Sequence, residues 1–536
     1  MNEQLDLALV NGRVRTLDPD RPAATAIGIK DDRIAVVGDA RDVAGADETI
    51  DLKGAAVVPG LTDSHVHPFL GALDARGVDL LDVHTLDGVR AAVAAERARC
   101  APGQWVLGFG LDYNAFADSG IGGELIADAA GGGPALLTFI DFHTALATPR
   151  ALELAGIDGP RRFDEHAEVV VDDAGRPTGE LREMGAMRLA RAAMPALTDA
   201  EVYAFNKGNL ERFAAAGLTG VHGMDGTVAS LDTLRELEAN GDLRTRIVMP
   251  FWSNPDTPEE TWEEYARHRD ARGARWRAGV AKLFIDGVID TGTAWLVEAD
   301  REGDGLAPFW PDPDRYARAV AFFASHGFQV VTHACGDRGV REALNAYRKS
   351  GAAPGIRHRI EHIETLQPDD LPRFAAEDVI ASMQAQHMMH LSPDRDDNWS
   401  RRLGAERTAP GRAFPIRSLI ASGATVTLGS DWPVARFDWR EGMGAARLRR
   451  PPGETGRAAY DDQAIDALTA LEGYTVRPAE TTNMADRLGA LKPGHLADVT
   501  VLGADPVDTA ADDLPAVPTV ATIVGGEVVY RAPDLD

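Results

Sequence analysis

His65 and His67 stand two residues apart in the stretch VVPGLTDSHVHPFL (57–70), and their spacing is where metal chemistry first becomes legible in this chain. Val57 and Val58 are β-branched, Pro59-Gly60 breaks the chain, and LTDSHVH then reads as a short buried strand. Successive strand side chains face opposite ways, so the two imidazoles share one face while Val66 points to the other. Side by side they can hold a divalent cation, although two satisfied interior histidines would give the same pattern. Further ionisable residues recur in comparable places: Lys282 lies inside an apolar run, and His333, His362 and Asp431 lie at or near the ends of others. Four imidazoles, a carboxylate and a lysine converging on one point suit zinc, whose usual ligands are nitrogen and carboxylate oxygen.

Lys282 is the odd member of this group. An ammonium beside divalent cations would be repelled, and it would lose its hydration in an otherwise apolar strand. Carboxylation of the amine by CO2 gives a carbamate whose two oxygens can bridge two metals. On spacing alone, the favoured reading is a lysine salt-bridged to Asp286 or Asp290.

The elements that must position these residues follow from the hydrophobic pattern. Short β-branched runs alternate with helical patterns between residues 59 and 487, the mark of repeated βα units. Eight strands are expected: 60–67, 217–225, 244–252, 279–287, 328–337, 357–365, 379–387 and 425–434. This predicts an α/β fold, a (β/α)8 TIM barrel, although a doubly wound sheet would alternate similarly. In such a barrel functional residues sit at the C-terminal strand ends, where the candidate ligands fall.

The two chain ends, 1–58 and 488–536, both read as short alternating strands, so a small composite β-sandwich domain is expected from them. The gap after the first barrel strand is too long for one helix. Residues from about 71 to 200 contain a helical run, a Gly-rich stretch, the apolar strand ALLTFIDFH and the hairpin EVVVDDAGRPTGELRE, and are expected to form an inserted cap over the barrel mouth. A shorter insertion around Asn398 to Arg417 precedes strand eight.

Taken together, DSHVH, KLFIDG, THACGD, RIEHIE and GSDWPV, closed by LGALKPGHLADVTVL, resemble the amidohydrolase superfamily, and within it the N-substituted formamide deformylases and their uncharacterised relatives. The resemblance covers nearly the whole chain. It implies that His65, His67 and Asp431 hold one metal, that His333 and His362 hold a second, and that Lys282 is the N6-carboxylated bridge, in place of the salt-bridged lysine. It also implies one or two divalent metals per chain, zinc first among them. The segment DFHTALATPRAL (141–152) resembles the one that carries a substrate-pocket histidine, here His143, though it is less polar than the family form.

Other residues have plainer readings beside functional ones. His222 on strand two can point into the mouth or serve as a hydrogen-bonded core histidine, the favoured reading. Cys335, two residues beyond His333, can approach the metals or act as a small buried hydrophobe. His387, His390 and Trp432 lie near strand ends seven and eight and can line the pocket. The arginines of RLRRPP (447–452) read as a solvated surface run.

Bulk properties bound the rest. The chain has 536 residues, enough for a large core and a satellite domain. A net charge of −28 argues against nucleic acid or an anionic membrane as the main partner. The expected partner is therefore a small-molecule substrate, with a homodimer as an open possibility. Cys100 and Cys335 are the only cysteines, which excludes a disulfide framework and a cysteine-rich zinc cluster. There is no signal-peptide pattern and no apolar span of about twenty residues, so a cytoplasmic location is expected.

The chemistry these features imply is hydrolysis of a C–N bond in an amide-type substrate by a metal-activated hydroxide, with Asp431 moving the proton. The alternatives are a lactone, carbamate or phosphoester hydrolase using the same site, or a non-catalytic binding relative that keeps the pocket and loses a ligand.

Overall fold

Eight parallel strands hold the molecule together, and each coincides with one of the expected β-branched runs. They are β1 (Leu61–Val66), β2 (Leu218–Gly223), β3 (Arg246–Ser253), β4 (Trp276–Phe284), β5 (Gln329–Ala334), β6 (Arg359–His362), β7 (Ile380–Met383) and β8 (Val426–Leu428). The computed structural model describes residues 4–163 and 167–533, apart from the side chains of Asp74 and His390. The strands pair in sequence order, and the two outer ones meet beyond the end of β8. There Asp431 N–H donates to His65 O at 2.7 Å and His67 N–H donates to Trp432 O at 2.9 Å. The result is a (β/α)8 TIM barrel, and the doubly wound alternative is excluded by that closure.

Helices cover the outside of the barrel because their apolar residues recur every three or four positions. Helix Asp337–Lys349, for example, buries Val340, Ala343, Leu344 and Tyr347. Helix Asp199–Ala216 starts with a capping box between Thr198 and Glu201 and stops at Gly217, whose φ of +97° only glycine adopts without strain. β2 begins at the next residue, so this cap fixes where the second strand enters the barrel.

Both chain ends contribute to two further sheets. A four-stranded sheet is made of residues 7–51, and a six-stranded sheet joins residues 13–59 to 499–531. The last crossing is direct, because Val499–Leu502 pairs antiparallel with Ala56–Pro59. Leu7, Ile27 and Ile29 from the first sheet share one buried cluster with Val57, Val499 and Ile523 from the second, so the two sheets pack face to face as a sandwich.

The insertion after β1 folds around a six-stranded sheet with helices on both faces. Strand parity sorts its core. Leu137 and Phe139 join Val89 and Val93 of helix Leu86–Arg99, whereas Leu136 faces the other way and joins Ala186, Met187 and Ala190 of helix Glu183–Arg191. Strand Val106–Leu111 belongs to this sheet and was not among the expected elements, since Gly108 and Gly110 interrupt its pattern.

One surface expectation is corrected. The RLRRPP arginines are not a solvated run: Arg449 is fully buried, sits in a left-handed conformation at the end of helix Trp439–Leu448, and donates Nε–H to Tyr460 O. Arg447 donates to Pro506 O and Thr509 O, and Arg450 pairs with Asp512. Among the described residues, no helix is long and apolar enough to cross a membrane.

Candidate active site and metal centre

Inside the barrel, strand parity decides which residues face the axis. Val280, Lys282 and Phe284 share one face of β4, and Val331 and His333 share one face of β5. Met224, Val280 and Val331 form a small apolar plug. Nearer the C-terminal strand ends come Lys282 and His333, with Phe284 and His333 directly paired in register.

Two ligand candidates reach the same place by breaking parity. On β6, alternation would send Glu361 and His362 to opposite faces. His362 and Ile363 instead have φ of +71° and +51°, a left-handed backbone that costs any non-glycine residue. The His362 ring thereby stands 4.3 Å from that of His333 and 4.9 Å from that of His65, centroid to centroid. Asp431 has a φ of +59° and turns its carboxylate toward the same point.

Around that carboxylate the imidazoles converge. His65 Nε2 and His67 Nε2 each lie 3.1 Å from Asp431 Oδ1, while His387 Nε2 and His362 Nδ1 lie 3.8 and 3.9 Å from Oδ2. The other nitrogen of His65, Nδ1, meets Glu361 Oε2 at 2.6 Å. Burial would raise the Glu361 carboxyl, but Arg359 and His65 outweigh it and bring it down to about 2, so Glu361 is an ionised acceptor. With His65 Nδ1 engaged by Glu361, Nε2 is the nitrogen turned to Asp431 Oδ1 at the centre of the cluster. Neither atom has a hydrogen-bond partner among the described residues. A divalent cation between them would give both atoms a bond, and on that ground the residues fit the metal that the sequence implies.

Lys282 adds a second observation of the same kind. Its Nζ is fully buried, lies 4.9 Å from the Phe284 ring centroid, and has no hydrogen-bond partner among the described residues. Burial pulls its pKa down to about 8. The proposed salt bridges are not made. Asp286 instead accepts from the backbone N–H groups of Trp295, Cys335 and Gly336, and Asp290 accepts from Asn398 Nδ2. Ligand atoms of His65, His362 and Asp431 lie within 4.8 Å of one another, and so do those of His333, Cys335 and His362.

The support beneath the ligands was not legible in the sequence. Arg359 is buried, pairs through Nε with Glu361 Oε1, and donates Nη2–H to Ser64 O at 2.8 Å. Arg359 and Glu361 thus clamp both the backbone and the imidazole of β1 from across the barrel. His222 belongs to this layer and not to the cavity. Its Nδ1 lies 3.1 Å from Arg359 Nη1, and burial holds its pKa well below the usual imidazole range.

Above the ligands opens a cavity of about 750 Å³. Trp252 and Phe284 wall it from the barrel, and Tyr113, Phe142, His143 and Met184 wall it from the inserted cap. His143 Nδ1 lies 2.7 Å from Glu183 Oε2, and the His143 ring centroid stands 5.9 Å from that of His333. Burial alone would lower the His143 pKa, but the Glu183 carboxylate outweighs it and raises the group to about 9. Glu183 itself holds a left-handed φ of +61° and donates its N–H to His143 O, so it holds both the backbone and the imidazole of His143. His387 and Cys335 also line the cavity, whereas the Trp432 indole is buried away from it against Phe213 and Phe437. The His390 side chain lies outside the described residues.

Comparison with known proteins bears on this arrangement. Residues 48–530 match the model of the family described as "Amidohydrolase family". The chain is 29% identical to the Arabidopsis thaliana protein LONG AFTER FAR-RED 3, over 98% of this chain and 91% of that one. It is 27% identical to the N-substituted formamide deformylase of Arthrobacter pascens, over 99% of both chains. The fold is that of an uncharacterized metal-dependent hydrolase from Pyrococcus horikoshii OT3, with a TM-score of 0.74 at 23% identity over 94% of this chain and 99% of that one.

Proposed function

The chain belongs to the amidohydrolase family, and on that premise we propose that it hydrolyses the C–N bond of an N-substituted formamide or a related amide. The observation that carries this reading is the cluster of buried polar atoms without a hydrogen bond among the described residues, His65 Nε2, Asp431 Oδ1 and Lys282 Nζ, at the floor of an open cavity. His65, His67 and Asp431 would hold one divalent cation, zinc for preference, and His333 and His362 a second. Bound there, the cations supply a water acidified to near neutrality and positive charge for the carbonyl oxygen.

Lys282 would bridge them as the N6-carboxylated side chain. Its amine must be neutral to add to CO2, and the burial that lowers its pKa to about 8 supplies a neutral fraction near pH 7. The step forms an N–C bond and releases one proton.

The chain's own groups then handle the substrate. Asp431, held ionised by the imidazoles around it against the effect of burial, accepts a proton from the attacking water and returns it to the departing nitrogen. That return matters because amines leave poorly unless protonated. His143, charged below about pH 9 and held at Nδ1 by Glu183, presents an N–H donor to the substrate from the cap side. Trp252 and Phe284 offer an apolar wall for the substituent on nitrogen.

The test is release of formate or free amine from a panel of N-substituted formamides, other amides, lactones and phosphoesters. Hydrolysis confined to C–N substrates, abolished by chelation and restored by zinc, is the expected result. Active protein without any transition metal would refute the reading.

A further inference from the structure

The second ligand group contains a residue for which neither the family resemblance nor the proposed function has a use. Cys335 follows His333 by two residues and shares its strand face. Its Sγ shares a hydrogen bond with the Glu364 carboxyl and lies 3.5 Å from His333 Nε2, which also meets Gly287 O at 3.1 Å, and a ligand atom from each of His333, Cys335 and His362 lies within 4.8 Å of the others. The residue is buried yet faces the cavity floor.

Its direction is fixed from both sides. The N–H groups of Cys335 and Gly336 donate to the Asp286 carboxylate at 3.0 and 2.8 Å, and Cys335 O accepts from Thr365 N at 3.2 Å. With its backbone so pinned, the thiol is held beside the two imidazoles. The second, independent observation is the Lys282 ammonium, fully buried and without a hydrogen-bond partner among the described residues, which faces the same floor. A lone apolar cysteine would not explain a polar floor left unsatisfied beside it.

We propose that Cys335 is a thiolate ligand of the second cation position, completing a His2Cys set with His333 and His362. This rests on the metal-dependent reading above. Binding displaces the Sγ proton to solvent, one per site, and forms a metal–sulfur bond. Thiolate is a soft donor, so this position favours zinc or cobalt over magnesium or manganese. Three protein ligands also make its occupancy independent of whether Lys282 is carboxylated.

The test uses the full chain, stripped of metal and titrated with cobalt chloride. A thiolate ligand gives an intense sulfur-to-cobalt charge-transfer band in the near ultraviolet, which nitrogen and oxygen ligands do not. The band should appear with the second equivalent bound, vanish in Cys335→Ser, and persist in Cys100→Ser, the only other cysteine. In the wild-type protein, bound cobalt should also slow the reaction of one thiol with a disulfide reagent at least tenfold, a readout that needs no variant. Two equivalents bound without the band, or a band that survives Cys335→Ser, overturns the assignment and leaves the metal-dependent reading standing. Failure to bind cobalt at all overturns both.

Discussion

His358 and His362 lie four residues apart at opposite ends of β6, and they live in opposite circumstances. His358 is fully provided for: Val330 N–H donates to its Nδ1 at 3.1 Å, and its Nε2 meets Ser350 Oγ at 3.3 Å. The N-terminal ends of the neighbouring strands are tied in the same way, with Gln329 Nε2 donating to Arg357 O and Thr481 O, and Arg246 pairing with Asp498. At the C-terminal ends, by contrast, His65 Nε2, Lys282 Nζ and Asp431 Oδ1 are buried without hydrogen bonds among the described residues, and His362 and Asp431 hold left-handed backbones. Buried polar groups are almost always satisfied in folded proteins. Around His358 folding itself completes the polar contacts, whereas at the C-terminal strand ends they are completed only by what binds there.

The contrast predicts where substitutions act, and Asp431→Asn should show it most strongly. Asparagine keeps a carbonyl oxygen but cannot take a proton at neutral pH, so turnover should fall by roughly 100- to 10,000-fold. In metal-free protein the change also removes the carboxylate that the imidazoles hold ionised, so the thermal midpoint should fall. Rate, metal content and thermal midpoint should be measured on one sample. A fully metallated variant that turns over at the parent rate would move the proton transfer to another group, with His143 the next candidate.

Glu361→Gln sits on the border between the two regimes and should affect both. It removes the charged acceptor that sets the His65 tautomer, which typically costs about 10- to 100-fold in metal affinity or activity. It also leaves the buried Arg359 guanidinium without its counter-charge, a loss of roughly 3–5 kcal/mol in stability. Isothermal titration with zinc and thermal unfolding together separate the two. A variant with unchanged zinc affinity would show that Glu361 serves Arg359 alone.

The sequence disclosed the eight strands because each is a β-branched run bounded by turn residues, and it disclosed His65 and His67 because a two-residue spacing on a strand has one geometric meaning. Glu361 and Arg359 stayed hidden for the opposite reason. Their partners, His65, Ser64 and His222, lie on other strands 137 to 296 residues away, and no local pattern encodes such a clamp. The left-handed turns at His362 and Asp431 were equally invisible, since His and Asp adopt a positive φ more often than most residues but still only rarely. Arg449 misled because three arginines within four residues look like surface, whereas its guanidinium donates to a main-chain carbonyl from a buried position.

The smallest effect on the reaction, and the sharpest check on the finished end of the barrel, belongs to His358. Burial lowers its pKa from 6.5 to about 4, so at neutral pH it is folded as a neutral imidazole. Because Nδ1 accepts from Val330 N–H, a proton on that nitrogen would oppose a donor with a donor. A depressed pKa means that the unfolded chain takes up the proton first as pH falls. Stability from this group is therefore complete above pH 6.5 and drains away as the pH drops toward 4. His358→Asn keeps an acceptor for Val330 N–H and removes the titration. At pH 7 it should be less stable than wild type by roughly 1–3 kcal/mol, for the lost ring packing. Between pH 6.5 and 4 the gap should narrow by up to about 3 kcal/mol, because only the wild type pays the proton-linked cost there. Turnover at neutral pH should not change beyond twofold. Thermal midpoints of both proteins across that interval give the answer: a gap that stays constant would mean that His358 titrates normally and that this end of β6 is open to solvent, which would erase the contrast with His362.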